Sequence, residues 1–378
     1  MAEAVGWAAR CLPGRPAVPV LAGMLLDVAP VAAVPVDGAA GDGDAAGGTG
    51  RLTLACFDYQ VAARGEVSVE PRDGPGAHGR ALVSGRLLAE IARSLPPSPV
   101  EVRAEPGRVV LRCAGTRFTL ATLPVEDYPR LPDPPPEVGV VGSDVLAAAV
   151  GQVIAAAARD DAVPLLAAVR VELRGDVLAL SCSDRYRVAV RDLPWRPARP
   201  DLAAVALVPV RTLATAARWQ TGAAEVAITL ANGLIGFEGA GRQTISRLLD
   251  QRPVDYVSRF PHDFTGSAEV ATAPLLAAVR RMVLVAARHT PVTLAFHAGR
   301  LVLEAATGEE AHAVEELPAQ LSGPGATVRF NPYFLLDGVS GVDTDMVRMR
   351  FTAAGPVLLS GKATDYLYLL MPIRLPGD

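Results

Sequence analysis

Apolar residues recur along this chain with two periods. Leu88, Ile91 and Leu95 fall at helical spacing and predict a helix with one buried face. Val169-Arg-Val-Glu-Leu173, Val177-Leu-Ala-Leu180 and Arg300-Leu-Val-Leu-Glu304 are short, alternating or apolar, and set off by Gly-containing turns. That pattern predicts antiparallel strands with one face on a core. The two periods together predict an α+β class, with helices on one side of a sheet.

The pattern repeats on the scale of a domain. Ala8-Ala9-Arg10, Ala157-Ala158-Arg159 and Ala286-Ala287-Arg288 each end an Ala-rich run, then turn into an apolar strand that begins near Pro. Ala81–Arg93 matches Ala206–Arg218, and Val328–Ser340 is a third copy. Each reads as a strand end, a cap or Pro, and an amphipathic helix. Three linked copies of this length are whole domains rather than solenoid units, and they favour a curved or closed assembly. Two Pro-rich seams, Leu131–Gly139 and Phe260–Ser267, divide the chain into 1–136, 137–262 and 263–378. The second and third copies carry strand-like runs before their first helix, at 138–141 and 267–271. The first copy starts with the helix, which points to a start codon placed too far downstream or to a real truncation. The Gly- and Asp-rich stretch Asp37–Gly50 has nothing to bury and reads as a flexible hairpin loop. It is no phosphate loop, because no Gly-Lys-Ser/Thr follows it.

Composition narrows the picture further. The 378 residues are half apolar and a fifth charged, which is ordinary for a globular chain. No apolar run reaches the roughly 20 residues of a membrane span, and no signal peptide is visible. Cys11, Cys56, Cys113 and Cys182 are scattered, as expected of buried thiols in a reducing cytoplasm. The five histidines show no metal-ligand spacing, and no nucleophile elbow is present. The acidic pairs Asp160-Asp161, Glu309-Glu310 and Glu315-Glu316 read as solvated surface rather than a magnesium site. No cofactor, metal or catalytic group is expected, and a scaffold fits better than an enzyme.

The arginines carry more information. Lys362 is the only lysine among 36 basic residues, and the net charge is −4. Arg86 and Arg93 lie seven apart on one predicted helix, and Arg211 and Arg218 repeat them 125 residues later. Arg10, with Arg15 beyond it, Arg159 and Arg288 close the other helical run of each copy. Two readings stand. Arginine near a helix C-terminus stabilises the last turn, or the recurrent slots build one basic surface for a polyanion contacted through its phosphates. Tyr333 and Ser340 occupy the second-helix slots of the third copy, so the stripe is incomplete there.

Five segments resemble one family. Pro19–Gly23, Phe118–Pro129, Ser183–Val190, Phe330–Gly338 and Tyr368–Leu375 are similar, in order and across all three copies, to the bacterial sliding clamps. These are the beta subunits of DNA polymerase III, and the chain looks closest to actinobacterial members. The resemblance implies three clamp domains, each with two helices packed on antiparallel sheet. Two chains would close head to tail into a six-domain ring that encircles duplex DNA and tethers polymerase without catalysis. The eight arginines would line the hole. The implied partners are the polymerase alpha subunit, the clamp loader and other clamp-motif proteins, held in a pocket between the second and third domains. Carried over by motif, that pocket comprises Leu166, Ser183, Arg185, Tyr186, Arg187, Val188, Val254, Leu369, Leu370, Met371, Pro372, Ile373 and Arg374. Buried core strand is an equal reading for Val188 and Leu370. The implied dimer interface sets Arg108, Arg117, Phe118 and Leu120 against Val283, Leu284, Glu309, Glu310 and Glu315. Pro253-Val254 departs from the family pattern, and with it comes an alternative: a divergent clamp with altered pocket selectivity that binds peptides or a clamp inhibitor, conferring tolerance to it, without full ring function.

Overall fold

The computed structural model describes residues 1–30, 50–71, 78–160, 162–219, 223–286, 290–308, 310–352, 355–362 and 365–374. The Asp37–Gly50 hairpin expectation falls, but for Gly50, outside them, as do Arg288 and Glu309.

In the first copy, α1 (Ala2–Ala8) opens the order and precedes β1 (Gly23–Pro30), β2 (Gly50–Phe57), β3 (Val61–Val69) and β4 (Gly79–Ser84). Then come α2 (Gly85–Ser94), β5 (Glu101–Glu105), β6 (Arg108–Cys113) and β7 (Thr116–Leu123). The second copy runs β8 (Glu137–Gly142), α3 (Ser143–Ile154), β9 (Ala168–Arg174), β10 (Val177–Ser183), β11 (Arg187–Pro194), β12 (Arg196–Pro197) and β13 (Ala203–Pro209). It ends with α4 (Val210–Trp219), β14 (Glu225–Ala231), β15 (Leu234–Gly239) and β16 (Arg242–Arg247). The third has β17 (Gly266–Ala271), α5 (Thr272–Val285), β18 (Val292–His297), β19 (Arg300–Thr307), β20 (Ala311–Ser322) and β21 (Ala326–Phe330). α6 (Pro332–Ser340), β22 (Met346–Phe351), β23 (Val357–Ser360) and β24 (Tyr366–Leu370) complete it. Among the described residues each copy thus has two α-helices and antiparallel strands. The strand-like runs at 138–141 and 267–271 are β8 and β17.

The chain divides into two compact units, Met1–Val138 with Arg218–Arg247, and Gly139–Ala217 with Leu248–Asp378. In the first unit ten strands follow the order β14-β15-β16-β3-β2-β1-β4-β7-β6-β5. In the second, twelve follow β13-β9-β10-β11-β24-β23-β22-β17-β20-β19-β18-β21. Sequence copies therefore share sheets. β16 of the second copy pairs with β3 of the first, Ile245 opposite Ala62. β11 of the second copy pairs with β24 of the third, Val188 opposite Leu369 and Arg187 opposite Leu370.

The cores follow the periodicities. α2 buries Leu88, Ala89, Ile91 and Ala92 against Val5 and Trp7 of α1 and Leu26 and Leu54 of the sheet. α5 buries Leu275, Ala278, Val279 and Met282, and these join Leu294, Leu303, Phe330, Leu335 and Tyr368. α6 is preceded by Asn331, whose side chain accepts from the N–H groups of Tyr333 (3.0 Å) and Phe334 (3.3 Å). This is an N-cap that satisfies two otherwise orphaned donors.

Candidate functional site

The candidate partner surface lies in the second unit around the β10–β11 turn. Asp184 shapes that turn: its Oδ1 accepts from the backbone N–H of Tyr186 (3.0 Å) and of Arg187 (3.1 Å). The Ser183 hydroxyl accepts from the N–H of Arg185 (3.1 Å). These bonds hold Arg185 at φ +83°, a left-handed conformation rarely adopted by a β-carbon-bearing residue. The turn pushes Arg185 and Tyr186 into solvent, and Tyr186 is 63% exposed. The N–H of Met371 donates to the Tyr186 carbonyl (2.9 Å), so the C-terminal run continues the β11–β24 ladder. The N–H of Ile373 then donates to the Arg329 carbonyl (2.7 Å).

Two apolar surfaces result. Tyr186 stacks on Phe334 of α6 with ring centroids 6.4 Å apart. Val188 and Leu369, paired across β11 and β24, pack with Val190, Phe260, Leu358, Phe264 and Leu367. Met371 is exposed, Pro372 and Ile373 are half-buried, and Arg374 is exposed. Leu166 is half-buried in the turn Pro164–Ala167. Val254 is half-buried just before a turn in which Asp255 Oδ1 accepts from the N–H groups of Val257 and Ser258. Exposed Val163, Val257 and Tyr333 add apolar surface that the motif comparison did not include.

Four pocket residues expected from the sequence are buried: Ser183, Arg187, Leu369 and Leu370. Leu370 is wholly buried in the core of the third copy, because strand alternation turns it to the opposite sheet face from Leu369, which is buried in a separate cluster. Arg187 is only 2% exposed. Its Nε donates to Asp184 Oδ2 (2.9 Å), and its Nη1 to Asp337 Oδ2 (2.6 Å) and to the Tyr368 hydroxyl (3.2 Å). Its guanidinium lies 4.1 Å from the Phe334 ring centroid. Burial works against its charge, but Tyr368, Asp337 and Asp184 outweigh this and raise its pKa above the ordinary arginine value. Phe334, Asp337 and Tyr368 stand in segments that carried the resemblance, yet nothing in their spacing marked them as partners of Arg187.

The candidate DNA-facing arginines are largely exposed. Arg86 and Arg93 lie on the wet face of α2, and Arg211 and Arg218 on that of α4. Arg10 falls in the 3-10 turn Ala9–Cys11 after α1, with exposed Arg15 beyond it. Arg86 is also structural: its Nη2 donates to the carbonyls of Pro13 (3.0 Å) and Gly14 (2.9 Å), tying the Arg15 loop to α2. Arg159 does not end a helix as expected. α3 stops at Ile154, Ala156 and Ala157 turn into the core, and the N–H of Ala158 donates to the Leu166 carbonyl (2.9 Å).

Each unit also carries an open strand edge. β7 pairs with β6 along its length but with β4 only at Thr122 and Leu123, so Thr116–Ala121 have no strand neighbour on the other side among the described residues. β20 pairs with β19 from Ala311 to Pro318 and with β17 from Ala319 to Ser322, so Ala311–Pro318 have no strand neighbour opposite β19 among the described residues. Arg108 and Arg117 are exposed beside the first edge, Phe118 is half-buried, and Leu120 is a core residue at 2% exposure. Beside the second, Glu310 is exposed, Val283 is half-buried and Leu284 is 84% exposed. Both sides are partly self-paired. Arg108 Nε donates to Glu105 (2.7 Å), and Arg281 Nε to Glu315 (2.9 Å), which draws the Glu315 carboxyl below its usual pKa. Among the described residues no cluster of metal-ligating side chains occurs, and no helix is long and apolar enough to cross a membrane.

Comparison with known proteins agrees with the fold. Models of the DNA polymerase III beta subunit match its N-terminal domain at residues 46–132, its central domain at 140–253 and its C-terminal domain at 258–374. The chain is 46% identical to the beta sliding clamp of Streptomyces coelicolor over 390 residues, covering 100% of this chain and 98% of that one. It is 35% identical to the beta sliding clamp homolog GriR of Streptomyces muensis, covering 99% and 97%. In fold it matches the sliding clamps of Bacillus subtilis (TM-score 0.86, 22% identity, 99% and 97% covered) and Pseudomonas aeruginosa (TM-score 0.85, 23% identity, 99% and 97% covered). The chain therefore belongs to the DNA polymerase III beta subunit family, the bacterial sliding clamps, and is a non-catalytic processivity subunit of DNA replication.

Proposed function

We propose that two copies of this chain close head to tail into a ring around duplex DNA in the cytoplasm. Each chain contributes clamp domains 1–136, 137–262 and 263–378. The observation that carries this reading is the pair of unlike open edges, basic at β7 and acidic at β20. Antiparallel pairing of the two extends the sheets, while opposite charge sets the register and disfavours like edges. Arg10, Arg15, Arg86, Arg93, Arg159, Arg211, Arg218 and Arg288 then face the phosphates. Contacts of this kind carry no sequence information, so the ring holds DNA without stalling on it.

The cleft around Tyr186, Val188, Leu369 and Met371 receives the polymerase alpha subunit, the clamp loader and other clamp-motif proteins. A short peptide anchors Leu and Phe side chains in an apolar surface that a flexible Met helps to adapt. Loading onto a nicked circular plasmid tests the ring: the protein should co-elute with the circle and be lost once the circle is cut. Equal retention on circular and linear DNA would refute it. The similarity to GriR supports a second reading, a divergent clamp whose Pro253-Val254 corner alters selectivity. That reading predicts binding of motif peptide with weakened binding of a clamp inhibitor such as griselimycin, to which a Pseudomonas aeruginosa clamp is bound in one solved structure.

A further inference from the structure

Arg187 joins three elements. Its guanidinium takes carboxylates from the β10–β11 turn and from α6, the hydroxyl of Tyr368 on β24, and the ring of Phe334. Phe334 is held twice, since the Tyr368 hydroxyl also donates to its backbone carbonyl at 2.8 Å. α6 packs closely on the same tyrosine at Gly338, where an added β-carbon would stand 2.5 Å from the Tyr368 ring. The exposed Tyr186 rests on the Phe334 ring so fixed. Arg187 is charged and almost without water, so its direction is set by where its counter-charges stand.

We propose that Asp337 and Tyr368 are positioning residues for partner binding: they seat the Arg187 guanidinium against Phe334 and thereby hold the Phe334–Tyr186 stack as an aromatic wall of the cleft. Neither residue touches the partner. Asp337 supplies the shortest of the guanidinium's bonds, and without it Asp184 alone steers Arg187 from the opposite element. Tyr368 locks the helix backbone that carries Phe334. The wall so held suits a flat or branched apolar side chain, the Phe or Leu of an anchoring peptide. This inference rests on the cleft being the partner site.

The test is calorimetric titration of the full-length protein with a synthetic decapeptide carrying an adjacent Leu-Phe pair among polar residues. The variants are Asp337→Asn, Tyr368→Phe, and each of these combined with Tyr186→Ala. Asp337→Asn and Tyr368→Phe should each weaken the peptide by about tenfold, the size typical of coupling within one network. In the Tyr186→Ala background neither should weaken it further, because the wall through which they act is gone. Tyr368→Phe removes a single oxygen from a side chain that otherwise keeps its packing, so it serves if Asp337→Asn fails to fold. An unchanged Kd in both single variants overturns the proposal, and so does an equal further loss in the Tyr186→Ala background, which a purely structural role would give. If the unaltered protein does not bind the peptide, the cleft reading fails first and takes this inference with it.

Discussion

Replacing Leu284 by alanine should break the dimer while leaving the fold intact. Leu284 lies at the end of α5 and is 84% exposed, whereas Met282, two residues earlier, is 2% exposed and part of the core. Leu→Ala removes three carbons, worth about 2.4 kcal/mol at ~0.8 kcal/mol per buried methylene. Scaled to the area still free for burial, this is about 2 kcal/mol per contact. A head-to-tail dimer has two such contacts, so the loss is about 4 kcal/mol, or roughly a thousandfold in the dimer Kd. The folding stability of the chain should move by less than ~0.5 kcal/mol, as for other exposed positions. Met282→Ala is the counterpart, costing about 2–5 kcal/mol of folding stability through a core cavity. Sedimentation velocity across a concentration series measures the first effect and urea unfolding the second. An unchanged dimer Kd for Leu284→Ala would remove α5 from the interface. A large fall in its urea midpoint would show that the side chain is packed within the chain.

Two further outcomes follow from the packing. Gly338→Ala gains helix propensity but drives a β-carbon into the fully buried Tyr368 ring, so a net loss of about 1–3 kcal/mol should appear in urea unfolding. The thiols of Cys11 and Cys182 are pushed up to about 12 by burial. Cys182, which is fully buried, should resist a thiol reagent at pH 8 and react on unfolding. An unfolded thiol ionises near ~8.5, so this contribution to stability is complete below that pH and declines as pH rises towards 12. A thermal midpoint that rose across that window would contradict it.

How much of this was legible depends on where each signal resides. Periodicity is local, so Leu88 and Ile91 could be assigned to a core face, and the alternation of Val169–Leu173 announced β9. The resemblance located the turn at Ser183–Val188 and the strand at Tyr368–Leu370. Burial across sequence-distant elements was not legible. Arg187 reads as a pocket cation by position, yet Asp337 and Tyr368 enclose it from 150 and 181 residues away. Leu120 and Leu370 carry the right motif but face inward, because alternation fixes which neighbour is exposed only once the register is known. Arg159 looked like a helix end because Ala-rich sequence favours helix, and the bond from Ala158 to Leu166 competes successfully there. The sharing of β16 and β11 with neighbouring copies had no trace in the linkers, since pairing partners lie far away in sequence.

The open edges at β7 and β20 also give the chain a polarity. Contacts between unlike edges are directional and close into a ring only when the rotation per chain completes a turn; otherwise they grow a filament. In a closed pair the symmetry axis runs through the hole, and every copy presents the same side. Both Tyr186 clefts would then open on one face of the ring, leaving the other blank. Two partners on one ring would share a single direction of travel along DNA, and exchange between them would be a sideways step on one platform rather than a passage around the rim.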